Sequence, residues 1–448
     1  MRARGKVLAG SMLLLAAAVV AAPALAGSES AQVLKPAAVL DSPAPRQDPA
    51  EVSRRVDKLA RGKAMGKQAG TVVVDATSGE VLYDDDAGFA IIPASTIKIA
   101  TAAAALRLMG PDSRLITKTT RESGDLFLVG GGDVSLATAR PKSEPYTADN
   151  HPFTSLRRLA KDTVSALESQ GVSSVRLNVD DSLFSGPSWG PEWPAYYRGS
   201  GIVAPVQALM VDHGRAGRFG PAAPDPAKAA GDTFAGLLRK AGISVSSVDR
   251  GTSPSGAADV AEVRSAQLYR LVGEMLALSD NDMAESLFRL AGIAAGFGGS
   301  FDGGGRAVTK ALSDLGIVAL GANFADGSGL SKQDRLSPRG LADILSRVVR
   351  GEDDLWAIGV GLPVAGVSGT LRNRFRQVDT RAGAGLVRAK TGTLTSMSSL
   401  AGFVRSASGR VLVFASIANE ARSSADAGHE IDRIAAEVAT CGCSFPKG

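Results

Sequence analysis

Three short elements of this chain carry side chains able to act together on an acyl group. Ser95-Thr96-Ile97-Lys98 sets a hydroxyl three residues before an amine, and residues three apart on a helix share a face. A serine is a poor nucleophile until a neighbouring base takes its proton, and a desolvated lysine can be that base. The ordinary reading is an N-cap serine with a surface lysine. Against it, Lys98 opens an Ala-rich, largely apolar run that continues through Leu108, an unusual place for an amine. Ser279-Asp280-Asn281 interrupts a helical stretch from 268 to 290. Such residues cap and break helices; the chemical reading has the Ser279 hydroxyl relaying protons to a leaving group while Asn281 holds a substrate amide. Lys390-Thr391-Gly392-Thr393 reads as strand just before a terminal hairpin. Gly392 removes a side chain where a substrate backbone could lie close. Lys390 and the hydroxyls of Thr391 and Thr393 would form an anion site for a terminal carboxylate.

Each element has to be positioned by something. A helix at about 50–63 leads to the buried strand Thr71–Asp75, the turn Thr77–Glu80 and the return strand Val81–Tyr83. Pro93 then opens a helix running from Ser95 to Met109. From about 112 the texture changes to short strands such as Leu126–Val129 and Val175–Val179, a helix at about 154–170, a Pro/Trp-rich loop from Ser185 to Tyr197 and a helix–strand unit over 227–248. Helical texture returns with Leu268–Leu290, Gly303–Leu315 and 337–350. A hairpin, Ser398–Val404 and Val411–Ile417, and a closing helix at 424–439 finish the chain. With 448 residues, two or three domains are expected.

The N-terminus reads as an address. Arg2, Arg4 and Lys6 precede an apolar run from Leu13 to Ala22 and the small-x-small signature Ala24-Leu25-Ala26, the three-part pattern of a secretory signal over residues 1–26. Residues 27–50 carry Pro36, Pro43, Pro45 and Pro49 and read as a linker. The mature protein is expected to be exported, periplasmic or extracellular and associated with the cell wall, with no integral membrane span. Three cations of the +5 net charge lie in that leader, which leaves no case for nucleic acid. Cys441 and Cys443 lie in the last eight residues and read as a frayed tail without catalytic role.

Other patterns lead away from chemistry. Gly186-Pro187-Ser188-Trp189-Gly190 fits the nucleophile elbow G-x-S-x-G, but Pro191 and Pro194 forbid the helix that must follow. His151, His213 and His429 show no ligand spacing, so no metal is expected. Gly130–Gly132 and Gly303–Gly305 read as turns. Arg372, Arg374 and Arg376 read as a solvated, salt-bridged face rather than a polymer-binding patch.

In the order S-x-x-K, S-D-N, K-T-G, the three elements are the set found in penicillin-binding proteins and class A β-lactamases. Between about Val72 and Ala418 the chain resembles the low-molecular-mass class C, penicillin-binding protein 4-type enzymes, the D-alanyl-D-alanine carboxypeptidases and endopeptidases with a large insertion. The resemblance is carried by Pro93-Ala94-Ser95, Leu128-Val129-Gly130-Gly131-Gly132-Asp133, Ser279-Asp280-Asn281-Asp282-Met283-Ala284-Glu285, Asp326-Gly327-Ser328-Gly329-Leu330-Ser331, Gly369-Thr370-Leu371-Arg372-Asn373-Arg374-Phe375 and Lys390-Thr391-Gly392-Thr393-Leu394. It implies an α/β (α+β) transpeptidase-like domain, an antiparallel sheet flanked by helices, made of 51–111 and 259–448 with residues 112–258 inserted. Spacing agrees: Ser279 lies 184 positions after Ser95, room for an insertion of about 140 residues. The resemblance further implies a Ser95 acyl-enzyme with Lys98 as base and an oxyanion held by the backbone N–H groups of Ser95 and Thr393. Substrates would be peptidoglycan peptides ending in D-Ala-D-Ala, with β-lactams as acylating inhibitors and no cofactor. A β-lactamase or a non-catalytic wall-binding homologue is the alternative.

Overall fold

A computed structural model describes residues 46–139, 153–215 and 220–442. The leader, most of the linker, His151 and Cys443 lie outside the described residues. Among the described residues, no helix is long and apolar enough to cross a membrane.

The chain begins with α1 (Pro49–Ala60), capped by the Asp48 carboxylate, then the hairpin β1 (Gln68–Asp75) and β2 (Val81–Asp85). A 3-10 turn, Ala94–Ile97, leads into α2 (Lys98–Met109), so the expected single helix from Ser95 has a tighter first turn. Every α2 residue from Lys98 to Leu106 is buried. A helix that is apolar all round belongs inside a core, and α2 is the central helix.

Next come β3 (Ile116–Glu122), β4 (Asp125–Val129), β5 (Leu136–Ala137), β6 (Thr154–Ser155), α3 (Leu156–Ser169), β7 (Ser174–Asp180), the short α4 (Tyr196–Gly199), α5 (Pro226–Lys240), β8 (Ser244–Arg250) and β9 (Ala258–Arg264). The helical run follows: α6 (Leu268–Leu278), α7 (Asn281–Ala294), α8 (Phe301–Asp314), α9 (Pro338–Arg350) and α10 (Trp356–Gly361). The last elements are β10 (Arg388–Leu394), β11 (Met397–Arg405), β12 (Val411–Asn419) and α11 (Ser424–Thr440).

Two five-stranded sheets organise these elements. The first has the order β10-β11-β12-β1-β2 and is antiparallel throughout. The ends of the chain build it together, since β1 pairs along its whole length with β12. Side chains alternate across a strand, and the sheet uses both faces. Val73, Leu400 and Phe414 pack under α1 and α11 through Val56, Ile431 and Ile434. Val72, Val74, Val413 and Ile417 face the other way, toward α2 and the helices α6 to α9. Helices on both faces of an antiparallel sheet are the arrangement that the resemblance implied.

The second sheet, β8-β7-β4-β3-β9, is mixed: β8, β7 and β4 run parallel, while β3 and β9 are antiparallel additions. Leu126, Leu128, Leu177 and Val179 form a core with Leu159 of α3 and Phe234 of α5. Its closing strand β9 begins at Ala258 and continues to Arg264, so the sheet takes in six residues beyond 258.

Two expectations change here. Cys441 is no frayed residue: it is fully buried against the α1–α11 layer and donates to the carbonyl of Glu437, and burial pushes its thiol up to about 12. Arg374 is salt-bridged as expected but half-buried rather than solvated, donating to Asp432 from two nitrogens at 2.6 and 2.9 Å.

Candidate active site

The site lies where the first turn of α2, the α6–α7 junction and the edge strand β10 converge. Ser95 sits in the 3-10 turn and Lys98 is the first residue of α2. The turn is forced into shape by its neighbours. Ala94 has a left-handed φ of +48°, and Gly329 lies so close that a Cβ there would come within 2.1 Å of the Ala94 carbonyl oxygen.

Lys98 is fully buried, and its ammonium has three acceptors. It donates to Ser95 Oγ at 3.1 Å, to Asn281 Oδ1 at 2.8 Å and to the Ser328 carbonyl at 2.6 Å. Burial is the largest influence on it and works against the charge. Glu285, Asp326, Asp280 and Asp334 oppose, and the balance leaves Lys98 lowered to about 8. A lysine so placed gives up its proton within reach of neutral pH.

Between α6 and α7 the chain turns within two residues. Ser279 is left-handed (φ 57°, ψ 41°) and closes α6; Asp280 caps α7 by accepting from Met283 N at 2.9 Å. The helix-break reading holds, and the break brings Ser279 and Asn281 onto the two lysines, Ser279 onto Lys390 and Asn281 onto Lys98. Asn281 also donates from Nδ2 to the Ile202 carbonyl at 2.9 Å, which fixes its amide.

Lys390 approaches from β10. It is fully buried and donates to Ser279 Oγ and to the Thr391 carbonyl, both at 2.8 Å. Burial pushes it well below its ordinary value, and the neighbouring Lys98 and Arg374 cations add to that. Thr391 donates through its hydroxyl to Thr370 at 2.9 Å, and Thr393 is exposed on the edge strand. Two hydroxyl–lysine pairs thus stand side by side, Ser95 with Lys98 and Ser279 with Lys390.

A family model described as the D-Ala-D-Ala carboxypeptidase 3 (S13) family matches residues 52–218 and 218–439. This chain belongs to that family. Carboxypeptidase DacB of Mycolicibacterium smegmatis is 34% identical over 453 residues, 97% of this chain and 96% of its own length. A carboxypeptidase of Mycobacterium tuberculosis is 34% identical over 405 residues, covering 88% and 85%. The fold matches the crystal structure of penicillin-binding protein 4 from Haemophilus influenzae with a TM-score of 0.71 at 21% identity, over 88% of this chain and all (100%) of that one.

In this S13 member Gly392 also answers to a constraint inside the chain. A Cβ at Gly392 would lie 2.2 Å from Ser399 Oγ, 2.9 Å from the Pro93 carbonyl oxygen and 3.0 Å from Ser95 N. The close neighbour that demands glycine within the chain is the Ser95 turn. The nucleophile elbow is also absent from the fold, since the Ser188 carbonyl accepts from Val206 N and no helix follows until Tyr196.

Sequence spacing missed several parts of the site. Glu285, buried on α7, accepts from Gly327 N at 3.0 Å and Ser328 N at 2.8 Å. Asp326 accepts from the backbone of Ser328, Gly329 and Ser331 and from the Trp193 indole. Both acids stand in the motifs that carried the resemblance, but a contact between two motifs leaves no mark on spacing. His213 was set aside for want of ligand spacing, yet it lies 3.6 Å from Asp280 and 3.4 Å from Asp282. The three side chains could chelate an ion. Arg215, however, already puts a guanidinium 2.5 Å from Asp282, so the group is an ion-pair network.

Proposed function

We propose that this protein is a serine-type D-alanyl-D-alanine carboxypeptidase or endopeptidase that acts on peptidoglycan stem peptides or their cross-links through a Ser95 acyl-enzyme. The observation that carries the reading is Lys98 Nζ between Ser95 Oγ and Asn281 Oδ1, with Lys390 on the Ser279 hydroxyl beside them.

Ser95 Oγ attacks the carbonyl carbon of the penultimate D-alanine while neutral Lys98 takes the hydroxyl proton. The new oxyanion lies between the N–H groups of Ser95 and Thr393, donors of a kind worth about 3–4 kcal/mol each. Lys390, Thr391 and Thr393 hold the terminal carboxylate. The proton that Lys98 took passes on through Ser279 to the amine nitrogen, the C–N bond breaks, D-alanine leaves and Lys98 is neutral again. Water then attacks the ester, with Lys98 again the base, and Ser95 Oγ recovers its proton. A penicillin follows the first half of this course: its lactam C–N bond opens, the leaving nitrogen stays tethered, and the ester persists.

The β-lactamase alternative needs a separate carboxylate to drive deacylation. Glu285 is the buried carboxylate nearest in kind, and both its oxygens are committed to backbone amides. The leader-like residues 1–26 support export, and the substrate lies outside the cytoplasmic membrane, so we place the mature protein there.

Labelling with a fluorescent penicillin tests the reading. Wild type is expected to form a covalent adduct that Ser95→Ala abolishes, and to release D-alanine from a synthetic pentapeptide. Equal labelling of Ser95→Ala, or folded protein that neither labels nor releases D-alanine, would refute it.

A further inference from the structure

The segment Gly327-Ser328 is clamped from two sides. From α2, Lys98 Nζ donates to the Ser328 carbonyl at 2.6 Å and Thr101 Oγ1 donates to the Gly327 carbonyl at 2.7 Å. From α7, the two oxygens of Glu285 take the N–H groups of the same two residues, at 3.0 and 2.8 Å. The segment lies flat against α7: a Cβ at Gly327 would come within 2.5 Å of Phe288 Cβ and 2.7 Å of the Ala284 carbonyl oxygen. Glu285 is wholly buried, one helical turn beyond Asn281 and on the same face. The two α7 side chains therefore serve the same lysine, Asn281 by direct contact and Glu285 through Ser328.

We propose that Glu285 is a positioning residue for Lys98: by clasping the amides of Gly327 and Ser328 it fixes the carbonyl that holds the lysine, and it gives that lysine a buried counter-charge. The inference rests on Lys98 being the base for Ser95.

A loop carbonyl that must hold an ammonium at 2.6 Å needs its own orientation fixed, and a carboxylate on two successive amides supplies that. The charge matters because Lys98 has no solvent around it. The groups facing Lys98 are Glu285 from α7, Asp280 from the α6–α7 turn, Asp326 and Asp334 from the loop, and Lys390 from β10 as a like charge. Burial first, and Asp326 after it, raise Glu285, while the amides of Ser328 and Gly327 and the Lys98 ammonium pull it down; with both oxygens accepting from amides, the geometry holds the carboxylate form. Arg289, the next buried cation along α7, also feels Glu285. Neutralising Glu285 removes a group that raises Lys98, so Lys98 falls further and loses its proton at lower pH.

The test measures the rate of Ser95 acylation by a fluorescent penicillin against pH for wild type, Glu285→Gln and Glu285→Asp, with thermal melts to establish folding. In Glu285→Gln the acidic limb should move down by about one pH unit and the plateau rate should fall about 10-fold or more. Glu285→Asp keeps the charge but is one methylene shorter, so its limb should stay near wild type while the plateau falls at least several-fold. A folded Glu285→Gln with wild-type limb and plateau overturns the proposal. If that variant does not fold, Glu285→Asp decides, and a wild-type plateau there overturns it. Two unfolded variants make Glu285 a residue of the scaffold and overturn it as well. Wild type that shows no Ser95-dependent adduct sinks the underlying reading instead, whatever the variants do.

Discussion

Trp193 Nε1 donates to Asp326 Oδ2 at 2.7 Å, so a side chain from the loop before α4 ends on the loop that supplies a carbonyl to Lys98. Trp193 is itself packed edge-on to Trp189 and Phe301. Arg289 reinforces the junction, with Phe301 4.2 Å beneath its guanidinium and the Ser185 and Pro187 carbonyls as acceptors. The long segment between α2 and α6 is thus part of what shapes the site.

Trp193→Phe keeps the ring packing and removes the donor. Asp326 would retain its backbone donors but lose its only indole, a buried charge-assisted bond worth about 1.5–3 kcal/mol. The expected outcome is a lower melting temperature together with a several-fold slower acylation. A variant that melts lower yet acylates at the wild-type rate would confine the contact to stability.

Acylation should rise with pH. Lys98 is lowered to about 8, so near neutral pH only about a tenth is in the basic form. The rate of penicillin labelling is therefore expected to climb about 10-fold per unit below that value and level off above it. A flat profile through this range would exclude Lys98 as the group that takes the proton.

Asn281→Ala removes one of three Lys98 acceptors and the bond to the Ile202 carbonyl. The lysine gains freedom to leave Ser95, and a loss of about 10- to 100-fold in acylation is expected. Asn281→Asp is the informative comparison, because an added carboxylate raises Lys98 and should carry the acidic limb upward.

Gly392→Ala should damage the nucleophile while the fold survives. The new methyl would meet Ser399 Oγ at 2.2 Å and Ser95 N at 3.0 Å, so the Ser95 turn must shift. Overpacking of this kind costs about 1–3 kcal/mol. Labelling should drop steeply beside a modest change in melting temperature, and labelling at the wild-type rate would refute the contact.

His213 predicts a pH-dependent stability. Burial works against its charge, but Asp280 and Asp282 outweigh that and raise it to about 9 from the ordinary 6.5. A raised histidine contributes its stability fully below the ordinary value and loses it as pH climbs through the folded one. His213→Gln should therefore be less stable than wild type by roughly 2 kcal/mol in mild acid, a gap that closes above about pH 9. Denaturant midpoints at the two ends of that range would check it.

The three motifs were legible because each is local. Serine and lysine three apart, a capping triplet between two helices and a lysine on an edge strand all declare themselves within a few residues. The strands and helices were legible too, through their apolar periods. What escaped was whatever depends on two distant segments touching. Nothing near Glu285 announces that its partners are Gly327 and Ser328. Nothing on the Gly392 strand announces the turn at Pro93–Ser95 that presses on it. His213 acquires a role only where the chain folds back on the α7 cap.

The groups proposed to be catalytic are spread from Ser95 to Lys390, and β1 pairs with β12. A growing or partly folded chain has a serine but no base in position, because the Lys98 acceptors come from Asn281 and Ser328. It has no anion site either until β10 joins the sheet. On the proposed mechanism, reactivity is thus expected to be an all-or-nothing property of the finished molecule. A covalent penicillin signal would count completed molecules one by one, and could serve as a clock for how fast this chain reaches its final form.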